Sequence, residues 1–241
     1  MSKLEIIPLE GIPEISPGDD VVKIIAHTGE VLSGDILVVT QKIISKAENQ
    51  MVEIDPNNPL SHKPLVENES VRVLRRRGDL IISQTKHGFV CANAGIDLSN
   101  VERGQAALLP DDSDRSARGI RDGLLGQFDL DVGIIISDTF GRPWRRGLTD
   151  VAIGSAGVLP ILDLRGNPDA FGREMQVTEV ALVDELASAA ELVMGKSAGI
   201  PIAIIRGADK TWFGSGSVRE QIVRDPKDDL FRKKLFLSFN P

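Results

Sequence analysis

The sequence is poor in the residues that build disulfides, zinc sites and membrane spans. Its 241 residues include one cysteine, Cys91, and three histidines. An intrachain disulfide is therefore excluded, and no ligand set has zinc spacing. We expect Cys91, inside an apolar run, to be a buried structural thiol and not a nucleophile. Because no apolar stretch approaches the ~20 residues of a membrane span and no signal-peptide core is present, we expect a cytoplasmic protein without a membrane partner.

Other absences narrow the function classes. The formal net charge of -7 argues against a nucleic-acid partner, which would require a basic face. A Walker A loop is missing, and no defensible Ser-His-Asp or Cys-His set is found. A local cluster of basic side chains can still bind a small anionic ligand on an acidic protein.

The elements that are present alternate between helices and strands. Apolar spacing and caps predict helices over residues 21–27, 67–77, 116–125 and 178–194, with Ser113 as an N-terminal cap and Gly78 and Gly195 as stops. Short apolar runs predict strands over residues 36–39, 79–85, 89–93, 132–136 and 200–205. The pattern indicates an α/β or α+β protein with mixed sheets, as one large domain or two closely connected ones.

Two apolar runs each lead to an aspartate. The run over residues 88–97 ends at Asp97, with Asn100 three residues on, and the run over residues 133–138 ends at Asp138, followed by Thr139. Each aspartate alone could cap a turn or a helix. Together they favour a site for a hard divalent cation, Mg²⁺ or Mn²⁺, which would keep waters and phosphate oxygens as further ligands.

Basic side chains follow the same strand ends. Arg142, Arg145 and Arg146 come just after Asp138 and form either a solvated turn or a clamp for phosphate or carboxylate. Lys42 and Lys46 follow the strand over residues 36–39, where they could supply charge to a phosphate. This combination of carboxylates and cations points to an enzyme that acts on a nucleotide or a phosphorylated substrate.

Two further positions stay open between a structural and a functional interpretation. His87 is either a turn histidine or a substrate contact. The segment over residues 194–199 turns a helix into a strand, and a helix end with a loop explains its glycines.

Long motifs in this chain resemble the coenzyme F420-0:L-glutamate ligase family, that is, the F420 gamma-glutamyl ligases. The resemblance covers nearly the whole chain. Its anchors are residues 8–12, 44–48, 87–97, 138–147, 169–174 and 228–232.

The resemblance implies a GTP-dependent ligase that joins L-glutamate to the terminal carboxylate of coenzyme F420-0 through an acyl phosphate. GDP and phosphate would be released, and further γ-linked glutamates could follow. It implies Mg²⁺ or Mn²⁺, with K⁺ as a further candidate ion, and an intertwined homodimer of mixed α/β fold. One ligase domain would span residues 1–241, in two interleaved subdomains, without the nitroreductase-like domain fused in some relatives, because the chain stops at Pro241.

The resemblance also assigns residues. Asp97, Asp138 and Thr139 correspond to metal ligands, and Asp97, Asp138, Arg142, Arg145 and Arg146 to the catalytic set. The nucleotide contacts would be Leu9, Glu10, Gly11, Ile12, Gln41, Lys42, Lys46, Asn100, Met194, Gly195, Lys196, Ser197, Ala198 and Gly199.

One of these positions departs from the family pattern. Some members carry an acidic or amide residue for a second metal where this chain has Lys196, which could instead neutralise phosphate. Rival hypotheses are a ligase with another acceptor or nucleotide, a nucleotide-binding regulatory protein without turnover, and a structural subunit. The last is disfavoured by the cost of grouping these charges without a ligand.

Overall fold

A computed structural model describes residues 3–230 as a mixed α/β structure. The strands are β1 (Glu5–Pro8), β2 (Ile36–Thr40), β3 (Met51–Glu53), β4 (Ser70–Arg77), β5 (Leu80–Thr85), β6 (Val90–Ala92), β7 (Gln105–Ala107), β8 (Gly133–Gly141), β9 (Leu148–Ala156), β10 (Leu162–Asp163), β11 (Glu179–Val180) and β12 (Ile202–Arg206). The helices are α1 (Val21–His27), α2 (Gln41–Ala47), α3 (Lys63–Glu69), α4 (Ser113–Phe128), α5 (Leu182–Met194) and α6 (Val218–Gln221), with 3₁₀ turns at Asn93–Gly95 and Lys210–Trp212.

The central sheet has five strands in the order β1-β12-β2-β8-β9. Strands β2 and β8 run parallel, whereas the other neighbours are antiparallel. This confirms the predicted mixed sheet. Helices and loops bury both faces of the sheet, so its inner strands carry apolar side chains on both sides. Strands β2 and β12 and the first half of β8 are accordingly rich in Ile and Val. Helices α4 and α5 pack against β9.

A smaller antiparallel sheet, β4-β5-β6, lies beside helix α3. Its apolar cluster is separate from the main core and consists of Val66, Ile81, Ala94, Ile96 and Ala106. The chain thus builds two apolar clusters, and the segment that carries Asp97 belongs to the smaller one. Among the helices of residues 3–230, none combines the length and apolarity that a bilayer crossing requires.

The predicted helix over residues 67–77 is wrong. Helix α3 ends at Glu69, and the rest of the segment is β4, which pairs with β5 through two register shifts. The arginine-rich sequence has good helix propensity, but pairing with β5 satisfies its backbone and packs Val73 on the smaller cluster. Gly78, with φ +55°, forms the hairpin turn and caps no helix.

Other boundaries also differ from the sequence-based expectation. The helix predicted over residues 178–194 begins only at Leu182, because residues 179–180 form β11 and pair with β10. The strand before Asp97 stops at Ala92, and a 3₁₀ turn intervenes. Strand β8 continues beyond Asp138 to Gly141, so that this aspartate lies within the strand. Helix α4 begins at Ser113 because Asp112, and not Ser113, accepts the capping hydrogen bond. Residues 231–232 of the last family anchor lie outside the described residues.

Candidate active site

A cavity of about 470 Å³ lies where β2 ends and its pairing with β8 stops. Because these strands are parallel and Thr40 pairs with Ser137, the residues that follow Thr40 and Ser137 emerge at one edge of the sheet. The charged and polar side chains on the lining include Glu14, Gln41, Lys42, Lys46, Asp97, Ser99, Asn100, Asp138, Thr139, Asp150, Glu191 and Lys196. The fold therefore gathers Asp97 and Asp138 with both predicted lysines.

Asp97 is fixed by its backbone and paired by its side chain. It exchanges two backbone hydrogen bonds with Ala107, of 3.0 and 2.9 Å. Its carboxylate accepts from the Ser99 amide at 2.7 Å and from the Lys42 ammonium at 2.5 Å. Burial alone would raise the pKa of Asp97, but the hydrogen bonds from Lys42 and Ser99 outweigh it, so the pKa lies below its ordinary value.

Asp138 has the opposite electrostatics. The residue is half-buried, and its carboxylate accepts a hydrogen bond from the Thr139 amide at 2.8 Å. Burial, reinforced by the negative charges of Asp97 and Asp150, raises the pKa of Asp138 to about 7. Carboxylates that lie close together repel each other, and a cation bound in the cavity beside them would relieve that repulsion.

The donor set fits a hard cation. Asp97, Asp138 and Thr139 offer only oxygen atoms, which suit Mg²⁺ or Mn²⁺. Within residues 3–230, no three His, Cys, Asp or Glu side chains gather into a metal-binding cluster. Mg²⁺ is usually held by one or two carboxylates together with waters and phosphate oxygens, so this site matches that mode better than an all-protein cage.

Lys42 and Lys46 bring positive charge to the cavity from helix α2. Besides Asp97, the Lys42 ammonium contacts both oxygens of Ser99. Lys46 pairs with Glu14, whose side chain is 81% exposed, whereas that of Lys46 is 13% exposed. Both lysines therefore have partners at the solvent side that an anionic ligand could replace.

Asp150 and Glu191 line the cavity without having been recognised in the sequence. Asp150 lies on β9 opposite Thr139. The glycine-rich sequence of this segment does not predict a strand. Glu191 lies on α5. The Lys196 ammonium contacts Asp150 at 2.8 Å, Glu191 at 2.9 Å and the Thr139 hydroxyl at 2.7 Å. A hairpin prediction for β8 and β9 would have placed Asp150 across from Thr139.

The structure places the predicted nucleotide contacts of residues 9–12 in three different environments. Leu9 is fully buried in the main core, and its amide donates to the Ile202 carbonyl at 2.9 Å. Glu10 and Gly11 line a separate cavity. Ile12 lies on the main cavity.

The loop after α5 lies largely on the main cavity. Met194 is buried in the core, and Ala198 is not on the lining. Gly195, Lys196, Ser197 and Gly199 are on it. The Asn100 side chain donates to the Lys196 carbonyl at 3.1 Å, which ties this loop to the one that carries Asp97.

Other predicted residues lie at the edge of the site or away from it. Arg142, Arg145 and Arg146 are exposed in the turn between β8 and β9, outside the cavity lining. Gln41 is on the lining, but its amide donates to Ser45 and to a backbone carbonyl. His87 lies in the turn between β5 and β6, stacked on Phe89, which favours the turn interpretation.

Comparison of the sequence with known proteins places the chain in a family. The sequence model of F420-0:Gamma-glutamyl ligase matches residues 11–207. The chain is 41% identical to coenzyme F420:L-glutamate ligase of Methanopyrus kandleri, over 95% of this chain and 97% of that protein. It is equally identical to the protein of the same name in Methanothermobacter thermautotrophicus, over 95% and 99%. With that of Methanocaldococcus jannaschii it shares 39%, over 95% and 97%.

Proposed function

Because this chain belongs to the F420-0:gamma-glutamyl ligase family and is thus a ligase, we propose that it joins L-glutamate to coenzyme F420-0 with GTP as co-substrate. The observation that carries the proposal is the cavity in which Asp97 and Asp138 meet Lys42 and Lys46. Carboxylates that attract a cation, together with ammonium groups for phosphate, are what phosphoryl transfer requires of a protein.

Asp97, Asp138 and Thr139 would hold Mg²⁺ or Mn²⁺, since all three residues line the cavity and offer oxygen ligands. When bound, the ion would neutralise charge on the nucleotide phosphates. K⁺ is proposed as a further ion without an assigned site. The protein's own part is to place these ligands on the cavity lining, with Lys42 next to them.

The nucleotide phosphates would lie against Lys42 and Lys46, with Asn100 and the loop over residues 195–199 on the same lining. Lys42 and Lys46 would exchange Asp97 and Glu14 for phosphate oxygens. Leu9 and Met194 have buried side chains, so they would contribute shape and backbone only.

The reaction follows from the weakness of a carboxylate as an acyl donor. The γ-phosphoryl group of GTP would pass to the terminal carboxylate of F420-0, which gives an acyl phosphate and GDP. The α-amine of glutamate would then attack the acyl carbon, lose a proton and expel phosphate, so that an amide forms. We assign Arg142, Arg145 and Arg146, exposed beside the site, to the acidic substrates, because guanidinium groups bind carboxylate and phosphate in bidentate geometry.

We also propose a homodimer. Four large apolar side chains of residues 144–177 are strongly exposed: Trp144 (84%), Leu148 (68%), Phe171 (89%) and Val177 (84%). The dimer proposal takes these side chains to form one patch that the partner covers, since a contiguous exposed apolar patch marks an interaction site. Light scattering on the purified protein should give twice the chain mass of 26.1 kDa, and a monomer at micromolar concentration would contradict the dimer.

The test of the function is an omission assay. Purified protein is mixed with GTP, Mn²⁺ or Mg²⁺, glutamate and the deazaflavin precursor, and each component is left out in turn. GDP release that needs all of them, with products heavier by glutamate units in mass spectrometry, would support the ligase. Replacing GTP with ATP in the same assay tests which nucleotide the protein uses. Nucleotide binding without turnover under any condition would favour a regulatory binding protein instead.

A further inference from the structure

The Lys196 ammonium on the cavity lining contacts three different side chains. It contacts the Thr139 hydroxyl, the Asp150 carboxylate and the Glu191 carboxylate at 2.7, 2.8 and 2.9 Å. An ammonium group has three N–H donors. All three are therefore engaged, and Lys196 has no donor left for a phosphate unless it gives up one of these oxygens.

The carboxylates around Lys196 depend on it for their counter-charge. The side chain of Asp150 is 3% exposed and that of Glu191 is 19% exposed. Asp150 also accepts from the hydroxyls of Ser137 and Thr139, at 3.2 and 2.7 Å. In the part of the chain that the structure describes, Lys196 is the only ion-pair partner of these two groups. A buried carboxylate without a counter-charge is strongly destabilising.

Two carboxylates and a hydroxyl that converge on one point make a ligand set suited to a hard cation, and in this chain a lysine supplies that cation. Burial alone would lower the pKa of Lys196, but hydrogen bonds and charges from Asp150 and Glu191 outweigh it and raise the pKa. The group thus stays protonated at neutral pH.

We propose that Lys196 is a tethered cation that occupies the pocket between Thr139, Asp150 and Glu191, so that the site holds one divalent ion and not two. This rests on the proposed function, since it assigns the one ion to Asp97, Asp138 and Thr139. Lys196 is a positioning residue: it fixes the Thr139 hydroxyl and neutralises the buried wall beside the phosphates.

The experiment counts bound metal without turnover. Free Mn²⁺ is measured by electron paramagnetic resonance during titration of the protein with saturating GDP and no deazaflavin precursor. Wild type should bind one Mn²⁺ per chain. Lys196→Gln, which removes the charge and adds an amide oxygen, should bind one more ion. Lys196→Arg keeps the charge and should bind no more than wild type.

Lys46→Gln is the matched control, because it removes the same charge from the same cavity. Its partner Glu14 is 81% exposed, so no buried carboxylate is left and no extra ion should bind. An equal count in Lys196→Gln and wild type, or two ions in wild type, would overturn the proposal. If Lys196→Gln folds only with Mn²⁺ present, that supports it. If it folds under no condition, the wild-type count decides.

The outcomes separate this inference from the proposed function. Ligase turnover with two ions in wild type would refute the tethered cation and leave the ligase intact. No Mn²⁺ in wild type, with one gained in Lys196→Gln, would support Lys196 and contradict the site at Asp97 and Asp138.

Discussion

Two lysine–aspartate pairs lie on the cavity wall, and their burial is reversed. In the Lys42–Asp97 pair the lysine side chain is 15% exposed and the aspartate 31%. In the Lys196–Asp150 pair the lysine is 55% exposed and the aspartate 3%. An accessible carboxylate can exchange its lysine for a metal ion, whereas a buried one loses its only counter-charge if the lysine leaves. We therefore expect the Lys42–Asp97 pair to separate when a ligand binds and the Lys196–Asp150 pair to stay intact.

The largest effect on turnover should come from Asp138, whose carboxylate is influenced by the negative charges of Asp97 and Asp150. Asp138→Asn should lower kcat by roughly a thousandfold, because a metal ligand contributes several kcal/mol of charge stabilisation. GDP release at saturating GTP measures this, and circular dichroism checks the fold. Near-normal turnover at limiting metal would remove Asp138 from the mechanism.

The comparison next predicts a difference in stability. Asp150→Asn should lower the free energy of unfolding by about 1–3 kcal/mol, because it disrupts the buried hydrogen bonds to Ser137, Thr139 and Lys196. Asp97→Asn should cost less than Asp150→Asn, because the Asp97 side chain is 31% exposed and water can replace part of its interaction with Lys42. Urea unfolding of metal-free protein measures both. Equal losses would mean that burial does not distinguish the two pairs.

For nucleotide affinity we expect the opposite order from stability. Substitution of Lys42 should weaken binding more than substitution of Lys196. Lys42→Gln should raise the Kd of GDP by about tenfold, since a charge-assisted hydrogen bond to phosphate contributes about 1.5 kcal/mol or more. Lys196→Arg should change it by less than about threefold, because the arginine keeps the positive charge beside Asp150 and Glu191. Calorimetric titration at fixed Mn²⁺ measures both Kd values, and an unchanged Kd in Lys42→Gln would contradict the exchange of Lys42 to phosphate.

The smallest effect on turnover should come from Cys91. Burial, with a contribution from the charge of Asp138, raises the pKa of its thiol to about 12. At pH 8 the thiol is therefore protonated, and iodoacetamide should label native protein far more slowly than urea-unfolded protein, whose thiol has a pKa near 8.5. Cys91→Ala should keep kcat within about twofold, as a structural thiol would. Rapid labelling of the native protein would show that β6, which carries Cys91, opens to solvent.

The sequence predicts part of this arrangement and misses part for identifiable reasons. The Ile and Val runs of β2, β8 and β12 indicate buried strands, and Asp138 follows directly from one of them. Residues 70–77 read as helix because arginine favours helices locally, whereas pairing with β5 is a tertiary effect. Local periodicity contains no information about such a partner.

Two local features explain why the sequence does not predict the Lys196–Asp150 pair. Asp150 lies in a segment whose glycines resemble a loop, and only its register opposite Thr139 brings it to the cavity. Glu191 reads as part of an ordinary helix face. Gly195, with φ +62°, then reverses the chain so that Lys196 meets Glu191, a conformation that a residue with a Cβ adopts only with strain.

The parallel pairing of β2 with β8 has a kinetic consequence. About 90 residues of chain separate these strands, and closing so long a loop costs entropy before any contact repays it. Non-local pairing of this kind slows folding. Because Lys42 and Asp138 become neighbours only after that closure, the cavity between them does not exist in a nascent or partly unfolded chain. Recovery of nucleotide binding during refolding therefore reports the final docking of the central strands.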